Sequence, residues 1–368
     1  MLEVQKYLKS GKTYKDLEVE FGIESKFKDN LVILNYSQIN SPKMHPIVQE
    51  CRGICLHKDT FKLVAIAFPR FFNEGEALEV TSKFNWNKFT SSTKEDGSLV
   101  KVFWYNNELN IQTRGSFADS ELIPGLTWRD AILPCLTERQ IEYIKISEEH
   151  TFVFEFCSPM NQVVAIHPEP KLVLLTINYT DTGFEYHECD ECIVDDIAKI
   201  FGFNRPEKFL FNTITEIKDY ITMRSQSQNS WEGVVLRDNN NLRLKIKSAT
   251  YLQLHHMSGN GNIFLDKNLV PFILTGETDE VVTYFPSAKP FIDELQIKID
   301  EMKAQLYIVW ARAKDIIDQK NFALYITKEN PTPFASILFK MKQEKTINDV
   351  NELDKQFRNS AALILKNL

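Results

Sequence analysis

Lys94 stands in the run Thr93-Lys94-Glu95-Asp96-Gly97-Ser98, an amine two residues ahead of an Asp-Gly turn signal. Such an amine can attack phosphorus and hold the product as a phosphoramidate until a second acceptor arrives. It must be neutral to attack, a state that neighbouring cations or a metal ion can favour. Gly97 lets backbone approach a ligand with no Cβ in the way, and Asp96 can fix the turn or a ribose hydroxyl. An exposed lysine before an ordinary turn is spelled the same way, so the fragment takes its meaning from its companions. Glu155, in Phe154-Glu155-Phe156, is an acid in an apolar run, costly to bury unless paired or used; alternation would equally let it point to water. Glu232-Gly233 sets another carboxylate before an apolar run, suited to holding a divalent metal near a triphosphate. Lys245 and Lys247 fall on one face of a strand-like segment, where they can neutralise charge on a phosphate in transit or simply face solvent. Arg52, Arg70 and Arg114 sit beside glycine or aromatic residues and suit bidentate phosphate recognition, with Phe72 a ring on which a base could stack.

The elements that must position these residues change character along the chain. Residues 1 to about 30 read as a helical lead-in with a break at Gly22. Up to about residue 257 short apolar runs dominate: Leu31–Leu34, Leu63–Ala67, Leu99–Trp104, Phe152–Phe156, Leu172–Ile177 and Gly233–Leu236. Their lengths and β-branched content predict strands, with helices near 117–147 and 191–201. Beyond Gly259-Asn-Gly-Asn262 the period shifts. Ile292, Leu295, Ile299, Met302, Leu306, Val309, Ala313 and Ile316 recur in steps of three and four, one apolar stripe on a helix. Packing of that stripe into its own domain is favoured over a coiled coil, because the repeat is short. The expectation is an α+β protein: a domain of antiparallel sheets flanked by helices at 1–257, a junction near Ser258–Asn262, and an all-α domain at 263–368.

Composition sets wider limits. The 368 residues are 43% hydrophobic and 25% charged, as in globular proteins, with room for two or three cores. A net charge of −7 argues against an indiscriminate nucleic-acid coat but leaves room for a local basic cleft. No run approaches membrane length, and the start Met1-Leu-Glu-Val-Gln lacks a signal-peptide layout. The six cysteines do not make a secreted framework, so a reducing, cytoplasmic setting is expected.

Taken in order, Glu50-Cys-Arg52-Gly-Ile, Arg70-Phe-Phe72-Asn, Lys94-Glu-Asp-Gly-Ser-Leu-Val, Phe-Glu155-Phe, Glu232-Gly and Lys245-Ile-Lys247-Ser resemble the covalent nucleotidyltransferases, and within them the RNA ligase 1 family of T-even phages. The likeness covers roughly residues 31–257. It implies a nucleotidyltransferase domain and a three-step, ATP-dependent joining of RNA through a lysyl-AMP intermediate. On that pattern Lys94 is the nucleophile, supported by Asp96 and Gly97. Arg52 touches the AMP phosphate or the incoming 5′-phosphate, and Glu155 the ribose. Glu232 serves Mg2+ or Mn2+, while Lys245 and Lys247 contact the α-phosphate and orient pyrophosphate. Arg70 and Arg114 stand where relatives can carry lysine, which keeps charge but changes geometry. The implied partner is RNA with 5′-phosphate and 3′-hydroxyl ends, such as a cleaved tRNA, met by a monomer of viral origin acting on host RNA. DNA ligases and capping enzymes append a small β-barrel after the Lys-x-Lys strand; here the chain turns helical, which favours the phage RNA ligases and gives the helical domain a part in choosing RNA. Two alternatives stand beside this reading: a ligase for DNA or nicked duplex, and a non-catalytic sensor of nucleotide or RNA ends, against which the intact Lys94, Glu232, Lys245 and Lys247 weigh.

His187-Glu-Cys189-Asp-Glu-Cys192 has the spacing of part of a zinc site but lacks a second cysteine pair, so a helix start with incidental thiols is the preferred reading. His255-His256 has no acid or cysteine close by and reads as packing or RNA contact.

Overall fold

The computed structural model describes residues 1–38, 40–180, 183–228, 230–252, 265–284, 286–343 and 349–368. The expected junction at Ser258–Asn262 and the pair His255-His256 lie outside the described residues. The chain divides into two units, Met1–Ser37 with Ser41–His255, and Gln38–Asn40 with His256–Leu368. Among the described residues no helix is long and apolar enough to cross a membrane.

The first unit opens with helices Glu3–Lys9 and Tyr14–Phe21. Gly22 caps the second in the left-handed region (φ 64°), so the lead-in ends earlier than expected. The strands β1 (Ile23–Lys28), β2 (Leu31–Tyr36), β3 (Arg52–His57) and β4 (Leu63–Ala65) then form an antiparallel meander. Val4, Leu8 and Leu17 from the helices pack on Val32, Leu34, Ile54 and Leu56 of this sheet.

Further along come β5 (Phe72–Asn73), β6 (Phe89–Thr93), β7 (Ser98–Tyr105), β8 (Glu108–Thr113), β9 (Glu121–Ile123) and β10 (Leu126–Thr127). The remaining strands are β11 (His150–Cys157), β12 (Lys171–Thr180), β13 (Tyr186–Glu188), β14 (Lys208–Phe209), β15 (Gly233–Asp238) and β16 (Arg243–Lys247). One five-stranded sheet runs β14-β6-β15-β16-β5, antiparallel except for the β16–β5 pair, and the other runs β13-β12-β11-β7-β8. Along β11, Phe152, Phe154 and Phe156 alternate into a core that includes Val100, Val102, Ile144 and Val194. The helix Glu191–Phe201 forms where the sequence indicates, but the stretch 117–147 is not one helical region. It begins with the hairpin β9–β10, turned at Gly125 (φ 81°), and only then gives helices Trp128–Ile132 and Glu138–Ile146. A glycine in a left-handed turn outweighs the helical spacing around it.

In the second unit the described residues are helical from Asp266 onward, linked by turns. The apolar stripe lies on the helix Lys289–Ala313, where Ile292, Leu295, Ile299, Leu306, Trp310 and Ala313 are buried against Leu269, Phe322, Leu338 and Phe357. The stripe is thus covered by its own unit. Its turn-by-turn drift brings Trp310 rather than Val309 fully inside and leaves Ile316 past the helix end.

Candidate active site

The run Lys94–Gly97 joins β6 to β7 and so carries the chain from one five-stranded sheet to the other. Lys94 N–H donates to Gly233 O (2.8 Å), which fixes the start of the turn. A Cβ on Gly97 would lie 2.4 Å from Phe156 O on β11, so only glycine lets the turn press on that strand. Gly233, at φ +144°, is as tightly placed: a Cβ there would meet Ile246 O at 2.2 Å. Pairing of β15 with both β6 and β16 sets Gly233 opposite Lys247 and Val234 opposite Thr93. Three chemistry-bearing side chains therefore converge. Lys94 Nζ lies 2.8 Å from Glu232 Oε2, and Lys247 Nζ 3.8 Å from Glu232 Oε1. Glu232 is 6% exposed, whereas Lys94 keeps 22%, a buried acid beneath a reachable amine. Lys245 sits two residues back on β16, beside Asn73 of β5.

Glu155 lies on the face of β11 opposite its three phenylalanines. Burial first, with Glu232 and Asp96 acting the same way and Lys94 and Arg52 against it, brings its carboxyl up to about 8. Of the two readings that the sequence leaves open for Glu155, the structure favours withdrawal from water, and the residue shares the electrostatic neighbourhood of Lys94. Asp96 is spent on the chain itself. Its Oδ2 accepts from Val164 N–H (2.9 Å) and Ala165 N–H (2.7 Å), and its Oδ1 from Tyr251 O–H (3.0 Å). These bonds tie the turn to the 164–165 backbone and to Tyr251, a use of Asp96 that the sequence did not suggest.

The arginines gather around Tyr36, at the end of β2, a residue that sequence reasoning missed. Arg70 Nη1 donates to Tyr36 Oη (3.0 Å), and the guanidiniums of Arg70 and Arg114 lie 5.6 and 5.2 Å from its ring. Burial alone would raise the phenol, but Arg70, Arg52 and Arg114 outweigh it and hold Tyr36 below its ordinary value. Arg52 lies over Phe68 and Phe71, and its Nη1 is buried without a hydrogen-bond partner among the described residues. Such concentrated positive charge, with buried donor capacity to spare, is suited to phosphate oxygens. Phe72 is only 2% exposed with Arg70 over its ring, so it supports the cluster and offers no free face for a base.

Beside Lys94 opens a cavity of about 530 Å³, lined in part by Thr93, Asp96, His167, Arg224 and Trp231, within the range of small-molecule sites. Arg224 lies 4.7 Å over Trp231 and pairs with Glu207 at 2.7 Å. Neither it nor the 163–171 segment carried a sequence signal, because they become site walls only once Asp96 ties that segment back.

No group of three or more His, Cys, Asp or Glu among the described residues is placed to hold a metal. A divalent ion would rest on Glu232 and on ligand phosphates, the usual arrangement for Mg2+. In the His187–Cys192 segment, Cys189 O accepts from Arg237 Nη2 (3.0 Å), while Glu188 and Glu191 pair with Arg243, Arg237 and Arg205.

The site thus brings together a reachable lysine between two sheets, a buried acid under it and a second lysine on that acid, with a cluster of arginines around Tyr36. The chain belongs to the RNA ligase family typified by T4 RNA ligase 1, whose sequence profile matches residues 50–251. It is 27% identical over 395 aligned residues to a protein of Autographa californica nuclear polyhedrosis virus named as a bifunctional polynucleotide kinase/RNA ligase, covering 100% of this chain and 53% of that one. A protein of Thermovibrio ammonificans named as an RNA ligase is 25% identical over 264 residues, covering 69% of this chain and 66% of its own length. The chain thus spans about half and just under two thirds of these two relatives. An archaeal ATP-dependent RNA ligase shares the fold, with a TM-score of 0.50, 14% identity and 82% of each chain covered.

Proposed function

We propose that the protein is an ATP-dependent RNA ligase that works through an AMP carried on Lys94. The observation that carries this is the pairing of Lys94 Nζ with buried Glu232 at 2.8 Å, with Lys247 on the other carboxylate oxygen. In the first step Lys94 Nζ attacks the α-phosphorus of ATP. A P–N bond forms, the α–β P–O bond breaks, and pyrophosphate leaves with the electron pair. The proton of the amine has a receiving group in Glu232 Oε2. Lys245 and Lys247 balance charge on the α-phosphate and the departing pyrophosphate. In the second step a 5′-phosphate oxygen of RNA attacks the same phosphorus and frees Lys94. In the third, an RNA 3′-hydroxyl attacks the activated 5′-phosphate, and AMP departs.

Arg52, Arg70 and Arg114 bind phosphate oxygens in this scheme, and Glu155, held protonated near neutral pH, donates to a ribose hydroxyl. Magnesium or manganese, held by Glu232 and the nucleotide, would neutralise charge on the phosphates. The helical unit takes part in choosing the RNA, for which the ends of a cleaved tRNA are candidates. Incubation with ATP, magnesium and RNA bearing a 5′-phosphate and 3′-hydroxyl tests the scheme. AMP-capped RNA followed by joined RNA is expected, with matched DNA ends left unjoined. Binding of RNA and ATP with neither product would favour a sensor, and equal joining of DNA would overturn the substrate assignment.

A further inference from the structure

We infer that Lys101 is a positioning residue for the phosphate-binding arginines, one buried amine that holds the backbones carrying Arg52 and Arg114 in register. The inference rests on the proposed role of those arginines. Lys101 lies on β7 within Leu99-Val-Lys-Val-Phe103, a spelling that would let it face solvent, yet it is 0% exposed. Its Nζ donates to Gly53 O, one residue after Arg52, and to Gln112 Oε1 at 3.0 Å, two residues before Arg114. Lys101 and Gln112 are directly opposed across β7 and β8, and Gln112 Nε2 in turn donates to Cys55 Sγ on β3 at 3.1 Å. One polar cluster thus stitches β3 of the first sheet to β7 and β8 of another, directly beneath the arginines. The join is tight: Gly53 takes φ +79°, and a Cβ there would lie 2.4 Å from Arg114 O.

An apolar residue of equal volume would fill this space without the cost of burying an ammonium, so the amine calls for a reason beyond packing. The reason lies in what Gly53 O fixes. Arg52 has a buried Nη1 without a partner among the described residues, and its guanidinium is set over Phe68 and Phe71 rather than by an acid of its own. With no ion-pair contact to a carboxylate among the described residues, Glu155 acting on it only through space, its aim depends on the backbone at its root, and small errors of aim at a reacting phosphate are expensive. Burial also lowers Lys101 to about 8, in line with an amine wholly withdrawn from water.

Two half-reactions separate the role from mere stability: formation of protein-AMP from ATP, and transfer of that AMP to 5′-phosphorylated RNA. Arg52→Ala and Lys101→Met should slow the same half-reaction, Lys101→Met by roughly tenfold or more. Added to a variant that already carries Arg52→Ala and Arg114→Ala, Lys101→Met should cause no further slowing, because Lys101 acts through the two arginines. Phe103→Leu, on the same strand, serves as a stability control and should keep both rates. If Arg52→Ala leaves both half-reactions intact, the phosphate role of Arg52 falls and the inference falls with it. If Arg52→Ala slows a step but the Lys101→Met loss persists in full in the variant lacking both arginines, or Phe103→Leu reproduces that loss, the arginine role survives and the Lys101 inference is overturned. Should Lys101→Met not fold, Gln112→Leu keeps the bond to Gly53 and loosens the Arg114 side; a smaller loss, absorbed by Arg114→Ala, is then expected, and a loss that adds to that of Arg114→Ala contradicts the inference.

Discussion

The two units bury different kinds of side chain. Every buried polar or charged residue among those described lies in the first unit, including Asp96, Lys101, Gln112, Glu232, Arg237 and Arg243; from residue 265 onward the buried side chains are apolar. Buried polar groups cost stability unless satisfied, so a fold keeps them where they must be held in place for work. The first unit accepts that cost beside Lys94, at Glu232 and Asp96, and again in the Glu188–Arg243 and Lys101–Gln112 clusters. The helical unit does not, so whatever it contributes to RNA choice is carried by its surface.

That contrast can be broken most forcefully at Glu188, which is 3% exposed and shared by Arg237 and Arg243. Glu188→Ala strands the buried guanidinium of Arg243, while Arg237 keeps Glu191 at 3.0 Å, and should cost about 3–5 kcal/mol in urea unfolding of the first unit. Removing an acid from the helical unit, Asp354→Asn, weakens its pairs with Lys303 and Arg358, whose side chains stay partly exposed, and its contact with Tyr307, and should cost about 1 kcal/mol. Equal costs would erase the distinction between the units.

At the site itself, Glu232→Gln should lower the rate of protein-AMP formation by roughly 10²- to 10³-fold with the fold intact. A fall of a few-fold would mean that the acid is structural. In the helical core, Ile299→Val tests plain packing and should cost about 0.5–1.5 kcal/mol, with both half-reactions unchanged.

A further expected effect is one of pH. Glu155 is raised from 4.5 to about 8 by burial first of all, so the fold binds its proton more tightly than the unfolded chain does. The stability drawn from that proton is complete below about pH 4.5 and is lost as pH rises through 8. The melting temperature of metal-free wild type should therefore fall relative to Glu155→Gln between pH 5 and pH 8. Parallel curves would place Glu155 in water.

What the sequence disclosed follows the same division. The apolar stripe was legible because period and burial coincide in a helix packed only by apolar contact. Lys94, Glu232 and Lys247 were legible as a set because each is tied to a glycine or a strand whose pairing brings it round. Tyr36 was not, since a tyrosine at a strand end carries no mark of the three arginines that other elements fold onto it. Lys101 was hidden for a similar reason: alternation says which face a lysine takes, not whether another sheet covers that face. Asp96 was legible only as a turn candidate, its hold on the 164–165 backbone and Tyr251 being dependent on tertiary contact.

The central claim is that Lys94 carries the nucleotide. Intact-protein mass after incubation of AMP-free protein with ATP and magnesium tests it most directly, for wild type and Lys94→Ala. One added AMP on wild type and none on the variant is the predicted result. An adduct that persists on Lys94→Ala, or none on wild type with either magnesium or manganese, would contradict the account.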